Sequence, residues 1–193
     1  VVGAGPAGMA ASIVATEAGL SVIVADEGGA PGGQIYRNSL SQHARVASIL
    51  GGDYQKGRDL AARFAATEAE YVPHTTVFML EPQPDGRVLA GLANAADGTA
   101  RLCLARYVLI ATGALERPFP IPGWTLPGVM TAGAGQTLMK ASGLVPEGPL
   151  VLAGSGPLLM LLAAQYLRAG VSITAILETT PLANVAAALR HLP

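Results

Sequence analysis

Gly3, Gly5 and Gly8 stand at the spacing G-x-G-x-x-G, with Pro6 and Ala7 between the last two. In such a run the first glycine permits a tight turn and the second lets a pyrophosphate approach the backbone. The third lets a helix pack closely on a strand. The N–H groups of the first helical turn then face the phosphates, aided by the helix dipole. An acid at the end of the following strand completes the chemistry, because a carboxylate accepts hydrogen bonds from the ribose hydroxyls of an adenosine. Asp26 and Glu27 lie 18 and 19 residues beyond Gly8. Asp26 has the better spacing and Glu27 is the alternate. Together these residues predict a dinucleotide site, with FAD and a nicotinamide dinucleotide both open at this point.

The elements that must hold these residues are legible around them. Pro6 suits the first turn of a helix, where its missing N–H has no intrahelical partner to lose. A helix is predicted over Ala7–Ala18, with Gly19 as its stop. Leu20–Ala25 is short, β-branched and flanked by turn residues, as a buried parallel strand is. This is a βαβ unit. A polar loop follows from Glu27 to Asn38, then helices across Ser39–Leu50 and Gly57–Ala69. Short extended runs at Val77–Leu80, Val88–Leu92 and Arg101–Ala105, broken by Pro84-Asp85-Gly86 and Asp97-Gly98, predict a β-meander. Tyr107–Ala111 is expected as a core strand. Pro118, Pro120, Pro122 and Pro127 with Gly123 and Gly128 form a linker, anchored by Trp124.

A second unit begins near Thr131 and repeats the first at a constant offset of 151 residues. Gly3-Ala-Gly-Pro-Ala-Gly8 falls on Gly154-Ser-Gly-Pro-Leu-Leu159, Ala18-Gly19 on Ala169-Gly170, and Glu27 on Glu178. The repeat departs from the binding pattern where Leu159 replaces the third glycine and Leu177 takes the register of Asp26. Two readings stand side by side: a Rossmann-like domain kept for packing or subunit contact, and an NAD(P) site built on Gly154, Gly156, Pro157 and Glu178. NADP fits less well than NAD, because Glu178 would repel a 2′-phosphate. The expected fold is therefore α/β: a Rossmann-like domain with an inserted β-meander over 1–117, and the start of a second such unit over 118–193. With only Val1 and Val2 before the glycine run, and a helical Ala186–His191 with no strand after it, the chain reads as part of a longer protein.

Composition removes other classes. Twelve Lys and Arg against thirteen Asp and Glu give a net charge of −1 over 193 residues, and no basic stripe marks a nucleic-acid partner. One cysteine excludes an internal disulfide, a four-cysteine metal or iron–sulfur site and a C-x-x-C pair in this chain. Cys103 reads as a small core residue. His43, His74 and His191 show no metal-ligand spacing, so no metal is expected. Mean hydropathy is high at +0.43, yet no apolar run approaches the ~18–20 residues of a membrane helix. Leu158, Met160, Leu161 and Leu162 read as the buried face of a core helix.

Two further motifs distinguish the dinucleotides. Pro31-Gly32-Gly33-Gln34-Ile35-Tyr36-Arg37 follows the acid, and Ala111-Thr112-Gly113-Ala114 ends the strand after the meander. With these, the chain resembles the two-dinucleotide-binding flavoproteins, the class of glutathione and thioredoxin reductases. GGQIYR, ATGALERPFPIPGW and LPGVMTAGAGQTLMK are similar, more closely, to the FAD-containing subunits of opine oxidase, hydrogen cyanide synthase and amino-acid dehydrogenase, and to sarcosine oxidase α-type subunits. The resemblance implies FAD as cofactor. Its pyrophosphate would lie over Gly3, Gly5, Pro6, Ala7 and Gly8, and its ribose would meet Asp26 or Glu27. Gly33, Gln34 and Arg37 would run toward the isoalloxazine end, with Ala111, Thr112 and Gly113 closing over the cofactor. Arg37 would stabilise negative charge on the reduced ring.

The resemblance further implies an oxidoreductase subunit handling electrons from an amine, amino acid or opine-like N-substituted amino acid. It also implies a partner subunit that can itself carry substrate oxidation. The expected location is cytoplasmic, with peripheral membrane association through a partner as the alternative. No catalytic residue is assigned. An NAD(P)H-dependent flavin reductase lacking a redox dithiol is the enzymatic alternative, and an FAD-binding scaffold the non-catalytic one.

Overall fold

Pro6 opens helix α1 (Pro6–Glu17), and Gly19, at φ +77°, closes it in the left-handed conformation that glycine tolerates. The computed structural model describes residues 1–41 and 44–181. The expectations for His43, His191 and the Ala186–His191 helix lie outside the described residues. Met9 and Ile13 of α1 are buried on one face, and the buried Ser12 hydroxyl donates to the Gly8 carbonyl at 2.7 Å. Strand β1 (Ile23–Ala25) is shorter than the sequence suggested. It pairs in parallel with β2 (Glu70–Val72), a strand that three residues of mixed polarity do not announce.

Between these strands run α2 (Ala44–Leu50) and α3 (Gly52–Ala65). α3 begins five residues before and ends four residues before the predicted Gly57–Ala69. Its buried residues Tyr54, Gly57, Ala61 and Phe64 follow helical spacing, so one face meets the core formed with Ala4, Met9, Ile13 and Val24. The meander is β3 (Thr75–Pro82), β4 (Val88–Asn94) and β5 (Ala100–Ala105), antiparallel in that order. Its inner face, with Cys103, packs Ala90 and Leu92 against Ala25. Val2 bridges in parallel to Ala25 on one side and to Ile110 on the other. Tyr107–Ala111 is thus a sheet edge and not the predicted core strand: Tyr107 and Ile110 are 86% and 67% exposed.

The chain divides into two compact units, Val1–Ser41 with Asp53–Ala114, and Gln42–Gly52 with Leu115–Pro193. In the second, Thr131 caps α4 (Ala132–Ser142), its hydroxyl accepting from the Ala134 N–H, and Gly143 ends the helix at φ +68°. Strand β6 (Leu150–Gly154) pairs in parallel with β7 (Ile173–Glu178), and α5 (Pro157–Arg168) connects them. Leu159, Leu162 and Tyr166 are buried on the inner face of α5, whereas Leu158 is 41% exposed. Arg168 donates to the Ile49 carbonyl at 3.3 Å, which ties α2 to α5. Trp124 remains 45% exposed in the turn it shares with Ile121. The architecture is mixed α/β and Rossmann-like, with a three-stranded antiparallel insert.

Candidate dinucleotide site

The three glycines of the first turn are glycine for different reasons. At Gly8 an added Cβ would lie 1.8 Å from the Gly3 carbonyl oxygen, so only glycine lets α1 sit this close to the turn. Gly3 has φ +100°, and its Cβ would meet the Ala111 carbonyl oxygen at 2.4 Å. Gly5 differs. Its φ and ψ of −69° and −178° suit any residue, and a Cβ there would find only the Gly33 Cα, at 3.9 Å. Nothing among the described residues requires glycine at position 5. No side chain caps α1 and no acid occupies its first turn, so the turn of Pro6, Ala7 and Gly8 presents uncapped backbone to the space beside Gly5.

Asp26 turns back onto this loop. Its Oδ2 accepts from the Ala4 N–H at 2.5 Å and its Oδ1 from the Gly28 N–H at 2.7 Å. The half-buried carboxylate therefore braces the glycine turn from the end of β1. An ionised carboxylate keeps further lone pairs beyond the two used here. Glu27 is exposed and accepts from the Thr76 hydroxyl at 3.2 Å. Behind Asp26, burial pushes the Tyr71 phenol up to about 12, with the Asp26 charge adding to the effect. The Tyr71 hydroxyl is buried without a hydrogen-bond partner among the described residues.

The Gly32–Arg37 loop lies against the same turn. Gly32 donates its N–H to the Ala4 carbonyl at 2.8 Å. A Cβ on Gly33, whose φ is +58°, would fall 2.9 Å from the Gly5 Cα. Arg37 donates through Nη2 to Gln34 Oε1 at 2.8 Å, while its Nε is buried with no partner among the described residues. On the other side, the Ala111 N–H donates to the Val2 carbonyl at 2.8 Å. Thr112 and Gly113 follow it exposed, Gly113 at φ +73° with no atom near its missing side chain. The structure thus brings Gly3, Gly5, Gly8, Asp26, Gly33 and Ala111 around one turn. Sequence reasoning missed Ala4, whose N–H and carbonyl join that turn to Asp26 and Gly32. No side-chain signal marks a residue that acts through its backbone.

The second glycine turn is built otherwise. Gly156 stands at φ +94°, where Gly5 is extended, and Gly154 at φ +148°. Pro157 opens α5, but Leu159 is 4% exposed and lines an apolar cleft of about 450 Å³ with Leu152, Leu162 and Tyr166. Glu178 accepts from the Thr180 hydroxyl at 2.6 Å and from its N–H at 2.8 Å, and these bonds hold its carboxyl below the usual range. Leu177 is exposed. Among the described residues, no His, Cys, Asp and Glu group could hold a metal ion, and no helix is long and apolar enough to cross a membrane.

Comparison with known proteins places this architecture. A family model of the pyridine nucleotide-disulphide oxidoreductases matches residues 1–190. The chain belongs to this family. It is 47% identical to an opine oxidase subunit of Agrobacterium tumefaciens (strain Ach5), matching 100% of this chain and 39% of that protein. It is 35% identical to hydrogen cyanide synthase subunit HcnB of Pseudomonas aeruginosa, over 96% of this chain and 39% of the other. The FAD-bound crystal structure of OTEMO shares the fold at a TM-score of 0.58 and 17% identity, covering 93% of this chain and 38% of its own. The chain thus spans about two fifths of the length of the curated relatives it matches, 39% in each of these two.

Proposed function

We propose that this chain is the dinucleotide-holding part of an FAD-dependent oxidoreductase subunit that receives electrons from an amine, amino acid or opine-like N-substituted amino acid. Gly5 carries the reading. Its glycine identity has no cause among the described residues, and a pyrophosphate approaching the backbone supplies one. FAD is the ligand this reading prefers, and the Gly32–Arg37 loop supports the choice. The loop packs on Gly5, and the buried Nε of Arg37 offers a donor without a partner among the described residues. The similarity to the opine oxidase subunit of Agrobacterium tumefaciens supports the substrate class.

In this reading Gly3, Gly5, Pro6, Ala7 and Gly8 receive the pyrophosphate, and the remaining lone pairs of Asp26, or the exposed Glu27, receive the ribose. Gly33, Gln34 and Arg37 face the flavin end, with Ala111, Thr112 and Gly113 opposite. Bound flavin supplies a two-electron acceptor for oxidation of a C–N bond to an imine. The protein's part is to orient it and to set a fixed cation, Arg37, where negative charge develops. The FAD segment of this reading is 1–117, although Gln42–Gly52 and the residues from Leu115 on fall in the second compact unit. The segment read as the second Rossmann-like domain, 118–193, serves packing or subunit contact in this reading. Support comes from the buried Leu159 at the third-glycine position, the φ of Gly156 and the engagement of Glu178 by Thr180. An NAD(P) site there would make the protein an NAD(P)H-driven flavin reductase instead.

Gly5→Val in the full-length protein tests the site. The variant is expected to fold, because its backbone angles suit valine, and to purify without flavin colour. A folded, yellow Gly5→Val protein with normal FAD content would overturn the assignment.

A further inference from the structure

Gly57 lies in the middle of α3 and is buried there. Glycine is the poorest helix former after proline, so the helix gains nothing from it. The explanation is Tyr36. A Cβ on Gly57 would fall 2.2 Å from Cγ and Cδ1 of the Tyr36 ring and 2.7 Å from its Cβ, so the ring rests directly on helix backbone. Tyr54, one turn earlier, meets the same ring edge to face, with centroids 6.3 Å apart and planes at 67°. The Tyr54 hydroxyl also donates to the carbonyl oxygen of Arg37. Burial pushes this phenol up to about 12 against the opposing charge of Arg37, so it remains a donor at neutral pH.

The Gly32–Arg37 loop is therefore pinned at both ends. Its first residues lie on the phosphate turn through the Gly32 N–H to the Ala4 carbonyl and the contact of Gly33 with Gly5. Its last residues sit in a socket made by α3. Between and beside them Arg37 keeps a buried Nε without a partner among the described residues. A methyl at Gly57 would force Tyr36, the residue that precedes Arg37, to move.

We propose that Gly57, Tyr54 and Tyr36 are positioning residues that seat the Gly32–Arg37 loop and thereby set Arg37 toward the flavin. The inference rests on the FAD reading of this site. None of the three touches the reacting atoms. They act through the loop, and their effect belongs to flavin affinity and to the potential that a nearby fixed cation sets.

The test uses the full-length, FAD-loaded protein with Gly57→Ala, Tyr36→Leu, the double variant and Tyr54→Phe. Gly57→Ala and Tyr36→Leu are each expected to raise the FAD dissociation constant about 10-fold, to shift the flavin reduction potential to more negative values, and to alter its visible circular dichroism. The double variant is expected to be no worse than either single one, because both remove the same contact. Tyr54→Phe keeps the ring and removes the hydroxyl that donates to the Arg37 carbonyl. It is expected to change the visible dichroism even if Gly57→Ala does not fold. Unchanged affinity, potential and dichroism in Gly57→Ala overturn the proposal, as do additive effects in the double variant or an unchanged flavin spectrum in Tyr54→Phe. Gly5→Val separates the two levels. If it loses flavin while the α3 variants behave as the parent, the clamp fails and the site stands. If it keeps flavin, the FAD reading itself fails.

Discussion

Gly5 and Gly8 share a motif and differ in what demands them. Gly8 serves the protein's own packing, since a Cβ there would strike the Gly3 carbonyl at 1.8 Å, whereas a Cβ at Gly5 would make only ordinary contact with the Gly33 Cα, at 3.9 Å. Asp26 combines both kinds of role: the sequence reads it as a ligand for ribose, and the structure shows its two oxygens accepting from the Ala4 and Gly28 N–H groups. Removing one partner of such bonds costs about 1–3 kcal/mol where the other is left unsatisfied. Asp26→Asn is therefore expected to lower the urea-unfolding free energy of the flavin-free full-length protein by that amount, while Glu27→Gln, at an exposed position, leaves it unchanged. Equal stability of Asp26→Asn and the parent would leave Asp26 without a bracing role. The glycine spacing was readable because it is local. The brace was not, because the Ala4 N–H carries no side chain to identify it.

At the scale of elements, the extent of α1 was legible from Pro6 at its start and Gly19 at its stop. The meander was legible from its two turns. β2 was not, because Glu70–Val72 is a strand only by pairing with β1 across a long sequence separation. Tyr107–Ala111 has the composition of a core strand, and within this unit it finds a single bridging neighbour, at Val2. The helix α3 and strand β2 carry Tyr54 and Tyr71, both pushed by burial from the ordinary 10.0 up to about 12. A phenol raised in the folded state favours folding while it stays protonated. Its contribution is complete below pH 10 and is lost as pH rises toward 12. Stability is accordingly expected to be insensitive to these groups up to pH 10 and to fall between 10 and 12. Phenolate absorbance of Tyr54→Phe should lose one late-titrating tyrosine. Ionisation of all tyrosines near 10 in the folded protein would contradict the burial of these two rings.

For the whole molecule, the reading of electron flow is tested on the full-length protein. Anaerobic addition of opines or amino acids is expected to bleach the flavin, and NADH without an amine is expected to leave it oxidised. Bleaching by NADH alone would transfer the function to the reductase reading and give the second glycine turn a ligand. The repeat at an offset of 151 residues was visible without coordinates, because a βαβ unit is written in consecutive residues: glycine turn, helix stop, strand, acid. The assignment of Gln42–Gly52 to the second unit was not, because it depends on α2 meeting α5, as in the Arg168 bond to the Ile49 carbonyl. The sequence by itself determined the glycine turn, the fold class and the family resemblance, all of which rest on short-range spacing. Only the tertiary structure decided that a Cβ fits at Gly5 and not at Gly8, that Asp26 holds the turn together, and that Gly57 makes room for Tyr36. Those properties belong to distances between residues far apart in the chain, and spacing along the chain does not encode them.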